Sequence, residues 1–461
     1  MSETGITPEI DIHSFDVGNA ALFRALETSE SPKWAVGKEP EAAKVGAEGK
    51  EVEVKYMQWG SNNKLPAEIS EAIYSDPVLS RGMEYNIAMA YGDGPKPMMR
   101  SKDGNKTVYV DCQEQNVLDF WERHGQFAQY FLEQCTDMSI FYNTVVQILL
   151  NEKQQVTRLK HTEMGYCRFS KFEDGYSKQV LYNDTFCSDE VDDTVGQVLD
   201  MLDPSDPIYN LRERLGLDPN AKGEKKDEEI RRYGLKINFP TPLRQYYSQP
   251  YYTSVFKSGW ADFSKLIPQF KKAILKNQAT IKYIVTFHQN YFSELYRLEG
   301  ITDAKNQVAR RKAEYATIDK YLSGVDNAGK AIYNVGTVVK ESMLSLIKIE
   351  AIDNHFKGGE YLEDSEEVAN ILSYAIGVHP SVIGAAPGKS KSINGTEARE
   401  LTLIKNALLK PTRDLLLTPF YLVKNINKWH KDLVFTVPFT ILTTLDTGSG
   451  AKKNTGLKNE E

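Results

Sequence analysis

The sequence lacks any apolar run near the roughly 18 residues that cross a bilayer as a helix. No apolar stretch follows a basic N-terminal segment either, so neither a membrane span nor a secretion signal is legible. The four cysteines, Cys112, Cys135, Cys167 and Cys187, stand far apart without a Cys-x-x-Cys pair. This excludes a disulfide-dense scaffold and suits reduced thiols in a cytoplasmic compartment. The seven histidines are scattered and none has a metal-site spacing to another ligand, which leaves zinc without support. No Ser or Cys occupies a Gly-x-Ser-x-Gly elbow, so nucleophilic catalysis has none either. A basic excess is also missing. The net charge of −7 argues against a generic nucleic-acid binder, although it leaves room for a chain that handles DNA without gripping it.

What is present is globular in character, with 461 residues that allow two or three structural units. The stretch Gly384-Ala-Ala-Pro-Gly-Lys-Ser390 resembles a phosphate-binding loop, yet only three residues separate its first Gly from Gly-Lys-Ser where four are needed. The preceding residues, "EEVANILSYAIGVHPSVI", do not read as the strand such a loop requires. Asn394-Gly395-Thr396 matches a glycosylation sequon, which without a secretion route is a polar turn.

Along the chain, residues 1–55 are poor in large apolar groups and read as a flexible arm. Leu65, Ile69, Ile73 and then Leu79, Met83, Ile87 predict two helices punctuated by Asp76-Pro77. Val117, Phe120, Trp121, His124, Phe127, Tyr130 and Phe131 fall on one stripe, which predicts a single longer helix with His124 as a packed core residue. "NTVVQILLN" and the polar–aromatic alternation from Thr157 to Asn183 predict strands. Residues 188–236 read as a solvated, charged insertion, because Asp189, Glu190, Asp192, Asp193, Asp200 and Asp203 lack the spacing of a calcium loop. A helix with Pro268 as its start or kink follows, then a strand at "IKYIVTF" and a charged helix capped by Thr302 or Asp303 and stopped by Gly324.

The last third carries an acidic-headed helix whose apolar face is Val368, Ile371, Leu372, Ala375 and Ile376, ended by Gly377. A Gly/Lys/Ser loop comes next, then one long helix that Pro411 should kink. From Gly384 to Arg413 there are six bases (Lys389, Lys391, Arg399, Lys405, Lys410, Arg413) against two acids, Glu397 and Glu400.

The phrase Ile376-Gly-Val-His-Pro-Ser-Val-Ile-Gly384, the helix start Asn394-Gly-Thr-Glu397 and the pair Lys410-Pro411 resemble the portal proteins of tailed double-stranded DNA bacteriophages. "SDPVLSRGMEYNIAMAYGDGP" and "YLSGVDNAGKAIYNVG" are similar to portal phrases in the same order, so the resemblance covers most of residues 60–430. Departures are Ile376, where an aromatic residue is expected, and His379, where a short residue or proline is more usual.

The resemblance implies an α+β portal-type fold: a mixed wing over 56–255, a first stem helix over 256–280, a small α/β clip over 281–350 and a second stem helix over 351–383. A channel loop then spans 384–396, the kinked helix and a C-terminal wing strand span 397–445, and 446–461 form a disordered tail with little or no crown. It implies a homo-oligomeric ring of about twelve copies at one capsid vertex, without enzymatic activity or cofactor, through which genomic DNA is packaged and ejected. Expected partners are the large terminase, the head–tail adaptor, the major capsid protein and transient, non-specific double-stranded DNA, with the virion, and host cytoplasm during assembly, as the location. Lys389, Ser390, Lys391 and Ser392 become the residues facing DNA, and Arg310, Arg311, Lys312 and Lys320 a clip face for partners. An acidic chain suits such a channel, because basic walls would hold the duplex by counterion release. Two other readings remain: another virion structural subunit of the neck or capsid, and a P-loop ATPase.

Overall fold

The computed structural model describes residues 41–47, 50–104, 106–188, 190–192, 194–217, 231–278, 283–288, 290–323, 336–339, 342–345, 347–351, 361–383 and 395–440. They form two compact units of mixed α+β structure. One takes the described residues up to Lys265 and those from Leu362 onward, and the other takes Leu266–Tyr361.

The larger unit is built around the helix Ala128–Phe141 and the antiparallel sheet ordered Arg232–Asn238, Asn143–Leu150, Val156–Thr162. Val145, Val146 and Ile148 are completely buried in its central strand, as a run of β-branched residues between two partners should be. Its core continues into a second sheet. Leu433–Thr436, from the far end of the chain, pairs with Lys96–Asp103, which pairs with Lys106–Asp111. Trp121 joins these layers, stacked on Phe435 at 5.6 Å and packed on Phe420 at 5.0 Å, with its indole N–H donated to Pro95 O at 3.2 Å. The segment after residue 418 therefore completes a core that begins before residue 121.

Asp76-Pro77 separates two helices as the sequence predicts, and Asp76 caps the second, Pro77–Tyr91, by accepting from the N–H groups of Val78 and Leu79. The stripe from Val117 to Phe131 forms two helices, Gln115–Arg123 and Ala128–Phe141, instead of one. Between them Gln126 and Phe127 adopt left-handed φ values of 58° and 57°. That corner drives the Phe127 ring edge-on against Trp121 and Phe420, a gain that outweighs two strained residues. His124 packs at 4.6 Å on Phe127, half-buried, with its Nδ1 at 2.7 Å from Phe120 O.

Two further expectations are corrected. Within 1–55, read as a flexible arm, Glu41–Ala47 pairs antiparallel with Lys50–Tyr56; residues 1–40, 48 and 49 lie outside the described residues. The described part of 188–236 contributes to the core, while 189, 193 and 218–230 lie outside the described residues. Leu199, Met201, Leu202, Leu211 and Leu215 are buried, and Arg232–Asn238 is a strand of the central sheet. A Cβ on Gly234 would stand 2.3 Å from Met201 Sδ, so this glycine lets the segment lie directly on the sheet. Of the acids there, Glu190 and Asp192 are exposed and Asp200 and Asp203 half-buried.

Two basic side chains, Arg168 buried and Lys236 half-buried, tie the larger unit's loops. Arg168, fully buried, donates to Asn63 Oδ1, Asn63 O, Gly165 O and Cys167 O. Lys236 donates to Tyr246 O at 2.6 Å and lies over the Phe169 ring; burial pushes its amine down to about 7.

In the smaller unit Tyr283–Phe287 pairs with Ile347–Ala351, and Gly336–Val339 with Ser342–Ser345. The helix Trp260–Gln278 enters this unit at Leu266 and runs through Pro268 without ending there. Asp303 accepts from Asn306 N–H at the start of Ala304–Ser323, and a further helix, Tyr291–Glu299, precedes it.

Candidate functional site

The two helices that flank the Gly/Lys/Ser loop are anchored to one helix of the larger unit. In Leu362–Ala375, Val368 and Leu372 are buried, as is Ile376 just beyond, while Ile371 and Ala375 are half-buried; Ala369 and Ser373 complete the covered face. That face meets Pro77–Tyr91 at Gly82, where an added Cβ would stand 2.0 Å from Ile376 Cδ1. Asn86 Nδ2 donates to Ile376 O at 2.9 Å. Gly377, at φ 65°, reverses the chain, so that its N–H reaches Tyr374 O and that of Val378 reaches Ser373 O. The freed Gly377 carbonyl accepts from Lys405 Nζ at 3.0 Å. Burial pushes the Lys405 amine down to about 8.

Beyond the loop the expected single helix is three: Gly395–Leu408, Lys410–Leu416 and Thr418–Ile426. Pro411 occupies the first turn of the second helix, where a missing N–H removes no hydrogen bond, so it begins a helix instead of kinking one. Two turns after Lys405, the buried Arg413 donates through Nε to Ala90 O at 3.1 Å and through Nη2 to Met89 O, with Nη1 on Asn406 Oδ1. A guanidinium thus closes the C-terminus of Pro77–Tyr91, and an ammonium closes that of Leu362–Ala375. Gly92 makes room for this, because a Cβ there would meet Pro438 O at 2.6 Å. A cavity of about 130 Å³ between Met83, Asn86, Ile376, Lys405 and Thr412 lies at the junction.

The helix Gly395–Leu408 has no buried residue. Leu403, Ile404 and Leu408 are 40%, 57% and 70% exposed. A helix of this length with no fully buried residue is marginal in water by itself.

The residues expected to face DNA, Lys389, Ser390, Lys391 and Ser392, lie outside the described residues, as does the whole GAAPGKS stretch. What leads into it is helix, from Leu362–Ala375 and the short turn Pro380–Ile383, where a phosphate-binding loop would have a strand. The expected clip face is divided. Arg310 is paired with Glu299 at 2.8 Å and Glu314 at 2.7 Å, and Arg311 reaches Tyr296 Oη and lies over the Phe292 ring. Lys312 is exposed, and the side chain of Lys320 lies outside the described residues. The sequence reading missed Asn86 and Gly82, and it counted Lys405 and Arg413 only as bases. A Gly within the apolar run of a helix, and two cations two turns apart after a loop, are the signals that point to them.

Among the described residues no three His, Cys, Asp or Glu side chains converge as a metal site, and no helix is long and apolar enough to cross a membrane. No family model matches the sequence, and no curated protein matches it. Solved structures do. A chain in the neck of an empty gene transfer agent (GTA) particle, computed with C6 symmetry, matches at TM-score 0.53 and 15% identity over 80% of this chain and 83% of that one. Chains in the virion of a native GTA particle and in the neck of a native GTA particle computed with C12 symmetry match at TM-score 0.51, with 16% and 15% identity. Each match covers 80% of this chain, and 83% and 82% of those two. The likeness is one of fold: this chain and a component of those particles share their α+β architecture.

Proposed function

We propose that the chain is a structural subunit of a phage-like particle, a portal that closes into a ring of identical copies at one capsid vertex and passes double-stranded DNA. The observation that carries this reading is the helix Gly395–Leu408, which buries no residue fully and exposes Leu403, Ile404 and Leu408. A neighbouring copy in a ring would cover that stripe. The fold likeness to chains in particles resolved with C6 and C12 symmetry supports the same reading, as does the order of the portal-like phrases. In this ring Lys389 and Lys391, with Ser390 and Ser392, touch phosphates weakly while the acidic chain as a whole keeps the duplex sliding. The smaller unit, with Lys312 exposed, contacts the packaging terminase and later the head–tail adaptor, and the wing contacts the major capsid protein.

Electron micrographs of the purified chain, taken up to high concentration, test this. Rings with a central hole wide enough for a duplex are expected, and Ile404→Asp with Leu408→Asp should abolish them while leaving the melting temperature of the monomer unchanged. A closed assembly without a hole would instead favour a neck or capsid-associated subunit. Replacing Lys389 and Lys391 by Ala should lower packaged DNA with rings intact; unchanged packaging removes the loop from the mechanism.

A further inference from the structure

Away from the loop, the central sheet ends in an edge strand, Val156–Thr162, whose sheet partner is Asn143–Leu150. In an antiparallel pair, alternate residues turn their N–H and C=O groups toward the partner and the others turn them away. Leu150 N–H bonds Arg231 O, so Leu150, and with it Ile148 and Val146, points to the strand Arg232–Asn238. Their opposites, Val156, Leu159 and His161, therefore point out of the sheet, with a bulge at Thr157 taking up the odd step. Asn427 fills the first of these rungs as a strand would. Its Oδ1 accepts from Val156 N–H at 2.8 Å, and its Nδ2 donates to Val156 O at 2.9 Å. Among the described residues no such partner stands opposite Leu159 and His161.

A cleft of about 970 Å³ runs along this edge, lined by every residue from Thr157 to Glu163. Leu159 is 3% exposed, and backbone groups covered to that degree need a partner. The corner between Gln115–Arg123 and Ala128–Phe141 forms one wall through Phe127 and Tyr130, and Tyr182 and Gln197 also line the cleft. Tyr130 is 8% exposed, and its Oη is buried without a hydrogen-bond partner among the described residues.

We propose that this edge takes an extended segment of another protein as an added strand, with acidic side chains at alternate positions. The N–H and C=O groups of Leu159 and His161 hold its backbone as the ladder does elsewhere in the sheet. Arg158 and Lys160 flank Leu159 in sequence and point to the opposite face, both exposed and without an ion pair among the described residues. Residues opposed across a ladder share a face, so acids set against these two bases pair with them. Glu133, on the helix wall, and Glu163, just past the strand, carry the other sign in the same cleft. They exclude a uniformly acidic segment and call for apolar or hydroxyl side chains between the acids. A hydroxyl on that side gives Tyr130 Oη the partner it lacks. A second copy of this chain is excluded as occupant by charge, since two such edges laid antiparallel about these rungs set Lys160 against Lys160. The assignment is independent of the ring, which rests on the helix Gly395–Leu408.

The test titrates the full chain into a labelled peptide of about eight residues that alternates Glu with Val and Thr, read by fluorescence anisotropy. Saturable binding is expected, and hydrogen exchange at the Leu159 and His161 amides should slow in the bound state. Arg158→Glu with Lys160→Glu should weaken this peptide by about tenfold or more and create binding of the matching peptide that carries Lys in place of Glu. No saturable binding overturns the proposal, as does equal binding of a peptide of the same composition with its acids in one block. Binding that survives the charge reversal unchanged overturns it too. A short single-stranded DNA that displaces the peptide and protects the same amides would make the cleft a nucleic-acid site instead. The peptide series on the wild-type chain decides even where the reversed variant folds poorly.

Discussion

Trp121 and Arg310 stand at the centres of two regions that hold together by different means. Around Trp121, Phe127, Phe420 and Phe435 are sealed from water, the indole N–H has its acceptor, and segments some three hundred residues apart in sequence are brought into contact. Around Arg310, the helices Tyr291–Glu299 and Ala304–Ser323 are joined by ion pairs to Glu299 and Glu314 and by a partly exposed aromatic cluster in which Phe287 and Phe292 meet Tyr315, itself 47% exposed. The first kind of contact removes apolar surface from water and is indifferent to salt. The second is made in high dielectric and weakens with ionic strength. The contrast separates a sealed aromatic layer from a pair of helices held by exposed ion pairs.

The sharpest way to break this contrast is Trp121→Ala, which should cost about 3–5 kcal/mol and a large fall in melting temperature, read by calorimetry. A fall as small as that of a surface variant would show that the aromatic layer is not the scaffold. Arg413→Met keeps the stem of the side chain but strands the carbonyls of Met89 and Ala90. It should cost roughly 1–3 kcal/mol by urea denaturation and raise proteolysis near residues 384–394. Lys236 provides a pH test. Its amine sits near 7 when folded and near 10.5 when unfolded, so the unfolded chain binds the extra proton between these values and stability rises with pH across that window. Urea midpoints from about pH 7 to about pH 10 should climb less steeply in Lys236→Met than in the wild type. Smallest of all, Arg310→Ala should lower the melting temperature by only about a tenth as much as Trp121→Ala, and the difference should vanish in about 0.5 M salt.

Much of this was legible where one residue type has one local use. Asp76-Pro77 separates two helices, Gly377 ends one, and the run from Asn143 to Leu150 reads as a strand. The corner at Gln126 and Phe127 was not legible, because its left-handed backbone is imposed by the pocket that Trp121 and Phe420 make for Phe127. The 188–236 segment misled for the opposite reason. Its acids are real, with Glu190 and Asp192 exposed, but Leu199, Met201 and Leu211 are what pack. The site was half legible. The apolar face from Val368 to Ile376 follows from helical spacing, whereas the pairing of Lys405 with Gly377 and of Arg413 with Ala90 depends on two helix ends meeting far apart in sequence.

Because Asn86 and Arg413 tie both flanks to one helix and Lys405 ties the flanks to each other, the sequence between Ile383 and Gly395 can be treated as a cassette whose attachment points do not depend on its content. Lengthening such a cassette adds only about 0.6 kcal/mol of closure cost per doubling. Sequences of other lengths and charges can therefore be grafted between Ile383 and Gly395, and the molecule becomes a ready host for swapping one loop chemistry for another without redesigning what carries it.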